Sequence, residues 1–237
     1  MNFIFDLYGT LIDIWTDESS HKFWKKIAEN LGDGENRYCS VKNEYIKLCR
    51  AADMGEGREF DLTVVFEKML EKRALPCHTA PAFAHFFRDC SMQELVRFPH
   101  VKEILSGLRE RGAGVYLLSN AQSCFTLREL ELMELRELFD GIVISSDVGY
   151  KKPSGEIFRI ALEKFGIKAA DSVYVGNDMR DDILGAHGAG MKTAYIETRQ
   201  SRDYGDLPLP SPNYVAKDHK ELKNLLFNLA EQKTLNQ

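Results

Sequence analysis

A carboxylate closes the apolar run Phe3-Ile4-Phe5 at Asp6 and is followed by Leu7-Tyr8-Gly9-Thr10. An aspartate leaving an apolar strand is partly desolvated, which costs free energy unless a cation or hydrogen-bond donors meet it. Gly9 and Thr10 offer a tight turn, a backbone amide and a hydroxyl. An aspartate that only closes the turn would read the same way locally. Three other places carry matching groups. Leu118-Ser119-Asn120 ends a second apolar run with a hydroxyl and an amide, which suit either an oxyanion or a helix cap. Lys151-Lys152-Pro153 sets a lysine before a proline, and the proline stops any helix from running back through Lys152 and suits the start of the next one. Lys151 reads as a solvated side chain. Gly176-Asn177-Asp178-Met179-Arg180-Asp181-Asp182 crowds carboxylates at a strand-to-helix junction. A helix dipole accounts for one of them. Hard oxygen ligands for Mg²⁺, which takes one or two carboxylates and keeps several waters, account for more.

These groups need a scaffold that brings strand ends together. Apolar, β-branched or aromatic runs recur at Phe3 to Phe5, Gly114 to Leu118, Ile142 to Ile144, Val173 to Val175 and Thr193 to Ile196. Strands buried on both faces are apolar at consecutive positions in this way. Amphipathic stretches such as Val101 to Arg111 and Glu156 to Phe165 lie between them, so the pattern predicts an α/β fold, a parallel sheet with helices on both faces. Ligands of such sheets bind at the carboxyl ends of the strands. From about Trp15 to about Arg97 the periodicity is helical throughout, with no convincing strand. Tyr214-Val215 is a candidate edge strand and Glu221 to Glu231 a closing helix.

Composition narrows the partners. The chain has 237 residues, 44% hydrophobic and 28% charged, with a net charge of −5. That suits a soluble globular protein and argues against nucleic acid or an anionic membrane as main partner. No apolar run approaches the roughly 20 residues of a membrane span, and the N-terminus lacks the basic start of a secretion signal. Five scattered cysteines without a Cys-x-x-Cys pair fit a reducing compartment, so a cytoplasmic location is expected. Oligomeric state has no signature here.

The four segments, in their order and spacing, resemble the haloacid dehalogenase superfamily, whose motifs are Asp-x-Asp-Gly-Thr, a Ser/Thr-Asn strand end, a Lys-Pro and a Gly-Asp-x-x-x-x-Asp strand end. The resemblance implies a Rossmann-like hydrolase core over residues 1–14 and 95–237 and an inserted all-helical cap over 15–94. It implies that Asp6 is a nucleophile forming a covalent intermediate, and that Thr10, Ser119, Asn120 and Lys152 hold the substrate's oxyanion. In the family's phosphatases Mg²⁺ lies between the nucleophile, the backbone carbonyl at position 8 and the last motif, here Asp6, Tyr8, Asn177, Asp178 and Asp182.

Two positions depart from the pattern. Tyr8 stands where the phosphatases carry the aspartate that protonates the leaving group, and a phenol is a poor base at neutral pH. Asn177 replaces the first acid of the last motif, so Asp178 or Asp182 must supply the charge. Tyrosine at position 8 also matches the carbon–halogen-cleaving branch, which works without metal and receives halide on a cap arginine, for which Arg50 or Arg37 would stand here. Three readings follow: a Mg²⁺-dependent hydrolase of a small phosphate ester, a 2-haloacid dehalogenase-like hydrolase, and a phosphate-ligand binding protein with little turnover. Tyr8 favours the second and third, and the acidic cluster favours the first.

Overall fold

The computed structural model describes residues 1–234. Six strands form one sheet, in which all neighbours run parallel. β1 (Asn2–Phe5) is flanked by β4 (Gly114–Ser119) and β6 (Ser172–Gly176), with β5 (Gly141–Ile144) outside β4, and β7 (Lys192–Ile196) and β8 (Tyr214–Ala216) outside β6. Phe3, Phe5, Val115 and Leu117 pack into one layer with α5 (Val101–Glu110) and α10 (His219–Thr234). Ile4, Leu118 and Tyr174 pack into the other with α8 (Gly155–Phe165). Consecutive residues of one strand thus serve opposite cores, which is why the runs are apolar at every position. Each fully buried Phe, Leu or Ile contributes about 1.5–3 kcal/mol through the water it sheds.

The chain leaves β1 towards β4 and β5 on one side, then returns to β6 and β7 on the other. The strand order therefore reverses at β1, and the crevice at such a point is where open α/β sheets bind ligands. Asp6 follows β1 directly. α6 (Ser123–Leu132) follows β4, α7 (Ser145–Val148) follows β5, and a wide turn over Met179–Leu184 leads from β6 into α9 (Gly185–Gly188).

Between β1 and α5 lies the insert. α1 (His21–Asn30), α2 (Tyr38–Ala52), α3 (Leu62–Glu71) and α4 (Ala80–Ser91) share an aromatic cluster of their own. Within it the Phe87 ring lies 4.9 Å from that of Phe23 and 5.1 Å from that of Phe66. Phe125 of α6 joins this cluster and so ties it to the sheet domain. Ser20 caps α1 and Asp61 caps α3, each accepting from a backbone amide of the first turn.

Two features differ from the sequence pattern. β2 (Ile12–Thr16) and β3 (Met92–Arg97) form an antiparallel ribbon at the two ends of the insert, where only helices are expected. Each strand is mostly half-exposed, and its partner lies about 80 residues away, so neither shows a strong local signal. Pro153 does not open α8. The helix starts at Gly155 with Ser154 as its cap, and the Lys152–Pro153 bond is cis.

Candidate active site

The strand-end segments meet at one edge of the sheet. Three backbone amides, from Thr10, Leu11 and Ile12, converge on the Leu7 carbonyl and wind the chain tightly after Asp6. Gly9 takes φ +86°, and a Cβ there would stand 2.5 Å from the Asn177 amide nitrogen. Glycine is therefore required twice over, by the backbone and by the neighbour. Gly176 is forced in the same way, because a Cβ would meet the Asp182 carboxylate at 2.3 Å.

Lys152 is the hub. Its Nζ lies 2.7 Å from Asp6 Oδ1, 2.7 Å from Asp182 Oδ1 and 2.9 Å from the Tyr174 hydroxyl, with the Leu118 carbonyl at 3.3 Å. All of these groups are buried. Burial alone would pull the ammonium down, but the carboxylates of Asp182 and Asp6 outweigh it and hold Lys152 well above its usual range. Asp182 is pushed up to about 7 by burial, against the opposing pull of Lys152. The Thr10 hydroxyl lies 3.0 Å from Asp6 Oδ2 and 3.1 Å from Asn177 Oδ1. With a single proton it serves one of them at a time. Both oxygens of Asp6 are thus met, as the desolvation argument requires.

Ser119 and Asn120 part company. Ser119 Oγ is buried and, among the described residues, has no hydrogen-bond partner. An orphaned hydroxyl of this kind costs about 1–3 kcal/mol, so a bound group that accepts from it recovers that penalty. Asn120 is engaged at both ends of its amide, donating to the Lys152 carbonyl at 3.0 Å and accepting from the Lys152 amide at 2.7 Å. It braces the lysine loop, where an oxyanion contact was expected.

In the last motif Asp178 behaves as a helix cap. Its Oδ1 accepts from the amides of Arg180 and Asp181 and, with Oδ2, from the Tyr204 hydroxyl. Asp182 pairs with Lys152 and accepts from the Asp178 amide at 2.9 Å. Asp181 is raised above the ordinary carboxylate range, first by burial and then by Asp178 beside it. Among the described residues, no three acidic, His or Cys side chains converge as a ready metal cage. The cavity at Asp6, about 190 Å³, is nonetheless lined by four carboxylates (Asp6, Asp178, Asp181, Asp182) against two cations (Lys152, Arg202). That excess of negative charge, with oxygen donors only, fits one hard divalent cation that keeps several waters.

Tyr8 points its chemistry elsewhere. Its hydroxyl donates to Glu129 in a short contact and lies 2.9 Å from the Thr126 hydroxyl. Glu129 in turn accepts from Arg88 of α4 at 2.6 Å, and the Arg88 guanidinium sits 4.8 Å over the Phe125 ring. Burial first, and Glu129 second, push the phenol far up, so it stays protonated. Arg37 and Arg50 are exposed and line neither the cavity at Asp6 nor the wider one beside it. The arginines that do approach are Arg202, which lines both cavities, Arg180 in the wider one and Arg88 behind Tyr8. Neither Arg88, Glu129, Tyr174 nor Arg202 stands in a motif. The one local hint was Tyr174, whose hydroxyl needs a partner inside an otherwise apolar strand.

A model of the haloacid dehalogenase-like hydrolases matches residues 1–190. The chain belongs to this family. Among curated relatives, it is 29% identical over 139 residues to a ribulose-1,5-bisphosphate 5-phosphatase of Halopiger xanaduensis, covering 56% of this chain and 58% of the relative. It is 29% identical to a glyceraldehyde 3-phosphate phosphatase of Pyrococcus furiosus over 94% of this chain and 90% of the relative. The chain thus spans less than two thirds of the first of these two relatives. Among solved structures, a HAD phosphatase of Thermococcus onnurineus shares the fold, with a TM-score of 0.61 and 18% identity over 95% of this chain and 97% of the other. No helix among the described residues is long and apolar enough to cross a membrane.

Proposed function

We propose that the chain hydrolyses a small phosphate monoester through a covalent intermediate on Asp6, assisted by Mg²⁺, with residues 15–94 acting as the cap over the site. The observation that carries this reading is a buried carboxylate held between Lys152 and Thr10 in a cavity where carboxylates outnumber cations. The phosphatase names of the relatives support the same substrate class. Asp6 attacks phosphorus as the ester P–O bond breaks, the alcohol leaves as its oxyanion and takes a proton from water, and a second water then cleaves the acyl phosphate to inorganic phosphate and the Asp6 carboxylate. Lys152, in contact with Asp6, neutralises charge beside it, and the unpartnered Ser119 hydroxyl donates to a phosphoryl oxygen. Asp6, the Tyr8 carbonyl and Asp178 or Asp182 would hold Mg²⁺, with Asn177 as a neutral oxygen donor. Bound there, the ion would offset the negative charge of the phosphoryl group. Five unpaired cysteines support a reducing, cytoplasmic setting.

Tyr8 also favours a dehalogenase-like reading, because a leaving halide needs no proton. The exposed positions of Arg37 and Arg50 count against it. Assays of p-nitrophenyl phosphate and 2-chloropropionate with and without Mg²⁺ separate the two. Phosphate release that needs Mg²⁺ is expected, and Asn177→Asp, adding a carboxylate, should lower the Mg²⁺ concentration for half-maximal rate about tenfold, as for a ligand change worth about 1.4 kcal/mol. Metal-independent chloride release would replace this reading with the second.

A further inference from the structure

A second cavity, about 810 Å³, adjoins the one at Asp6 and shares Asn120, Lys152, Asp181 and Arg202 with it. A phosphoryl group on Asp6 therefore faces an outer chamber whose size falls within the roughly 300–1,000 Å³ of clefts that bury whole ligands. The two chambers differ in charge. The inner one has an excess of carboxylates. In the outer one Lys151, Arg180 and Arg202 join Lys152, against Asp53, Glu56 and Asp181, so cations outnumber carboxylates there by four to three.

The arginines of this chamber are loosely held. Arg202 approaches Asp178 and Asp181 only at 3.7 Å, its other side-chain partner is the neutral Tyr204 phenol, and its side chain is 66% exposed. Arg180 pairs at 3.0 Å with Glu56, whose side chain is 90% exposed. Exposed pairs of this kind contribute about 0–1 kcal/mol, so either arginine can exchange its partner for a ligand anion at little cost. Two backbone hydrogen bonds fix the far wall against the lysine loop, from Lys151 N to Gly57 O and from Glu59 N to Gly149 O. The Arg58 guanidinium lies 4.1 Å over the Tyr150 ring and adds to that junction.

We propose that the outer chamber is a subsite for a second anionic group, and that the substrate is a phosphate monoester whose alcohol carries a further phosphate or carboxylate several atoms away. Arg202 and Arg180 receive that group, since a guanidinium matches both anions bidentately. Lys151 adds charge at the same wall. This inference rests on the phosphatase reading of Asp6.

The test compares kcat/KM on four compounds with Mg²⁺ present: a pentose bisphosphate, a phosphorylated sugar acid of the same length, a pentose monophosphate without a second anion, and an aryl phosphate. The wild type should favour one of the doubly anionic compounds over the monophosphate by about 10–100-fold, the range for hydrogen bonds to charged groups. Which of the two is preferred tells phosphate from carboxylate. In R180Q/R202Q that ratio should fall below about 3, whereas R202K should keep part of it, as expected for a charge-assisted contact. Because each ratio is internal to one protein, partial loss of folded enzyme does not affect it. A wild-type ratio near 1, or a large ratio that survives R180Q/R202Q, overturns the subsite while the aryl phosphate still reports a working phosphatase. No release of phosphate from any of the four removes the phosphatase reading, and the subsite with it.

Discussion

Two buried charge networks flank the loop after β1, and each contains a tyrosine hydroxyl. In one, Lys152 faces two carboxylates and Tyr174; in the other, Arg88 faces one carboxylate, Glu129, to which Tyr8 donates. The first sets two carboxylates, Asp6 and Asp182, against one ammonium, and the orphaned Ser119 hydroxyl follows its Leu118 carbonyl in the chain. The second balances, and Glu129 is met at both oxygens, by Arg88 and by Tyr8. Buried charge is costly unless paired, so an imbalance persists only where something else is to be bound. The balanced network does a different job. Arg88 belongs to the insert, Glu129 to α6 and Tyr8 to the loop after β1, so it holds the helical layer onto the sheet domain. Imbalance marks chemistry and balance marks attachment.

The strongest way to break this comparison is Asp6→Asn, which keeps shape and hydrogen bonds but removes the attacking charge. Phosphate release should fall by at least about 10³-fold, as for other lost nucleophiles. The thermal midpoint should change little, because the substitution relieves a buried negative charge. More than a tenth of the activity remaining would mean that the unbalanced network is not the reaction centre.

Next in size is the effect of Tyr8. With its proton committed to Glu129 and its phenol far above neutral pH, it is no general acid. Loss of such a group typically costs about 10²–10⁴-fold, so aryl and acyl phosphates should react faster than alkyl phosphates by that span. Tyr8→Asp should raise the alkyl rate, while its stability falls because Glu129 loses a donor. An alkyl rate that stays flat or drops, with the fold retained by circular dichroism, would show that position 8 faces the attachment network alone.

The networks should also separate stability from activity. Lys152→Met leaves Asp6 and Asp182 facing each other without a cation, and Arg88→Leu leaves Glu129 buried with neutral partners. Each should lower the urea unfolding free energy by about 3–5 kcal/mol, the usual result of removing one partner of a buried pair. Only Lys152→Met should abolish turnover. The folded fraction of Arg88→Leu should keep aryl phosphate activity within about tenfold of wild type, less than the loss of a catalytic acid or base costs. Equal activity losses in the two variants would dissolve the distinction between them.

The first network was largely legible in the sequence and the second was not. Asp6, Lys152 and the acidic junction stand at ends of apolar runs or beside a proline, and a parallel sheet brings such ends to one edge. Arg88 and Glu129 sit in ordinary amphipathic helices, where a charged residue reads as solvated. Their pairing depends on how α4 docks against α6, across 41 positions of sequence. Asn120 was legible as one of the strand-end polar groups, but not its contacts, because its partner is the backbone of Lys152. The β2–β3 ribbon escaped for the same reason as Arg88, since a local window does not reveal a remote partner.

His219 offers the finest test, because it supports the loop after β1 with no charge at all. It is buried, stacks on Phe98 with ring centres 4.6 Å apart, and places Nε2 2.8 Å from the Thr10 carbonyl. A carbonyl only accepts, so Nε2 carries a proton, and the neutral ring suffices for the bond. Burial lowers the His219 pKa below its ordinary 6.5, despite the opposing effect of the Thr10 carbonyl. The unfolded chain then binds the proton more readily than the folded one. Linkage makes stability rise with pH in that range, so the contribution is intact above about pH 6.5 and declines as pH falls below it. One proton limits the slope to about 1.4 kcal/mol per pH unit. Urea midpoints measured from about pH 5 to about pH 8 should show a decline in the wild type that His219→Gln lacks, since glutamine can donate to Thr10 without titrating. The difference between the two curves isolates this residue from the other groups that titrate in this range, Asp182 among them. Parallel curves would mean that the protonated ring is accommodated, and that the loop after β1 does not depend on a neutral support.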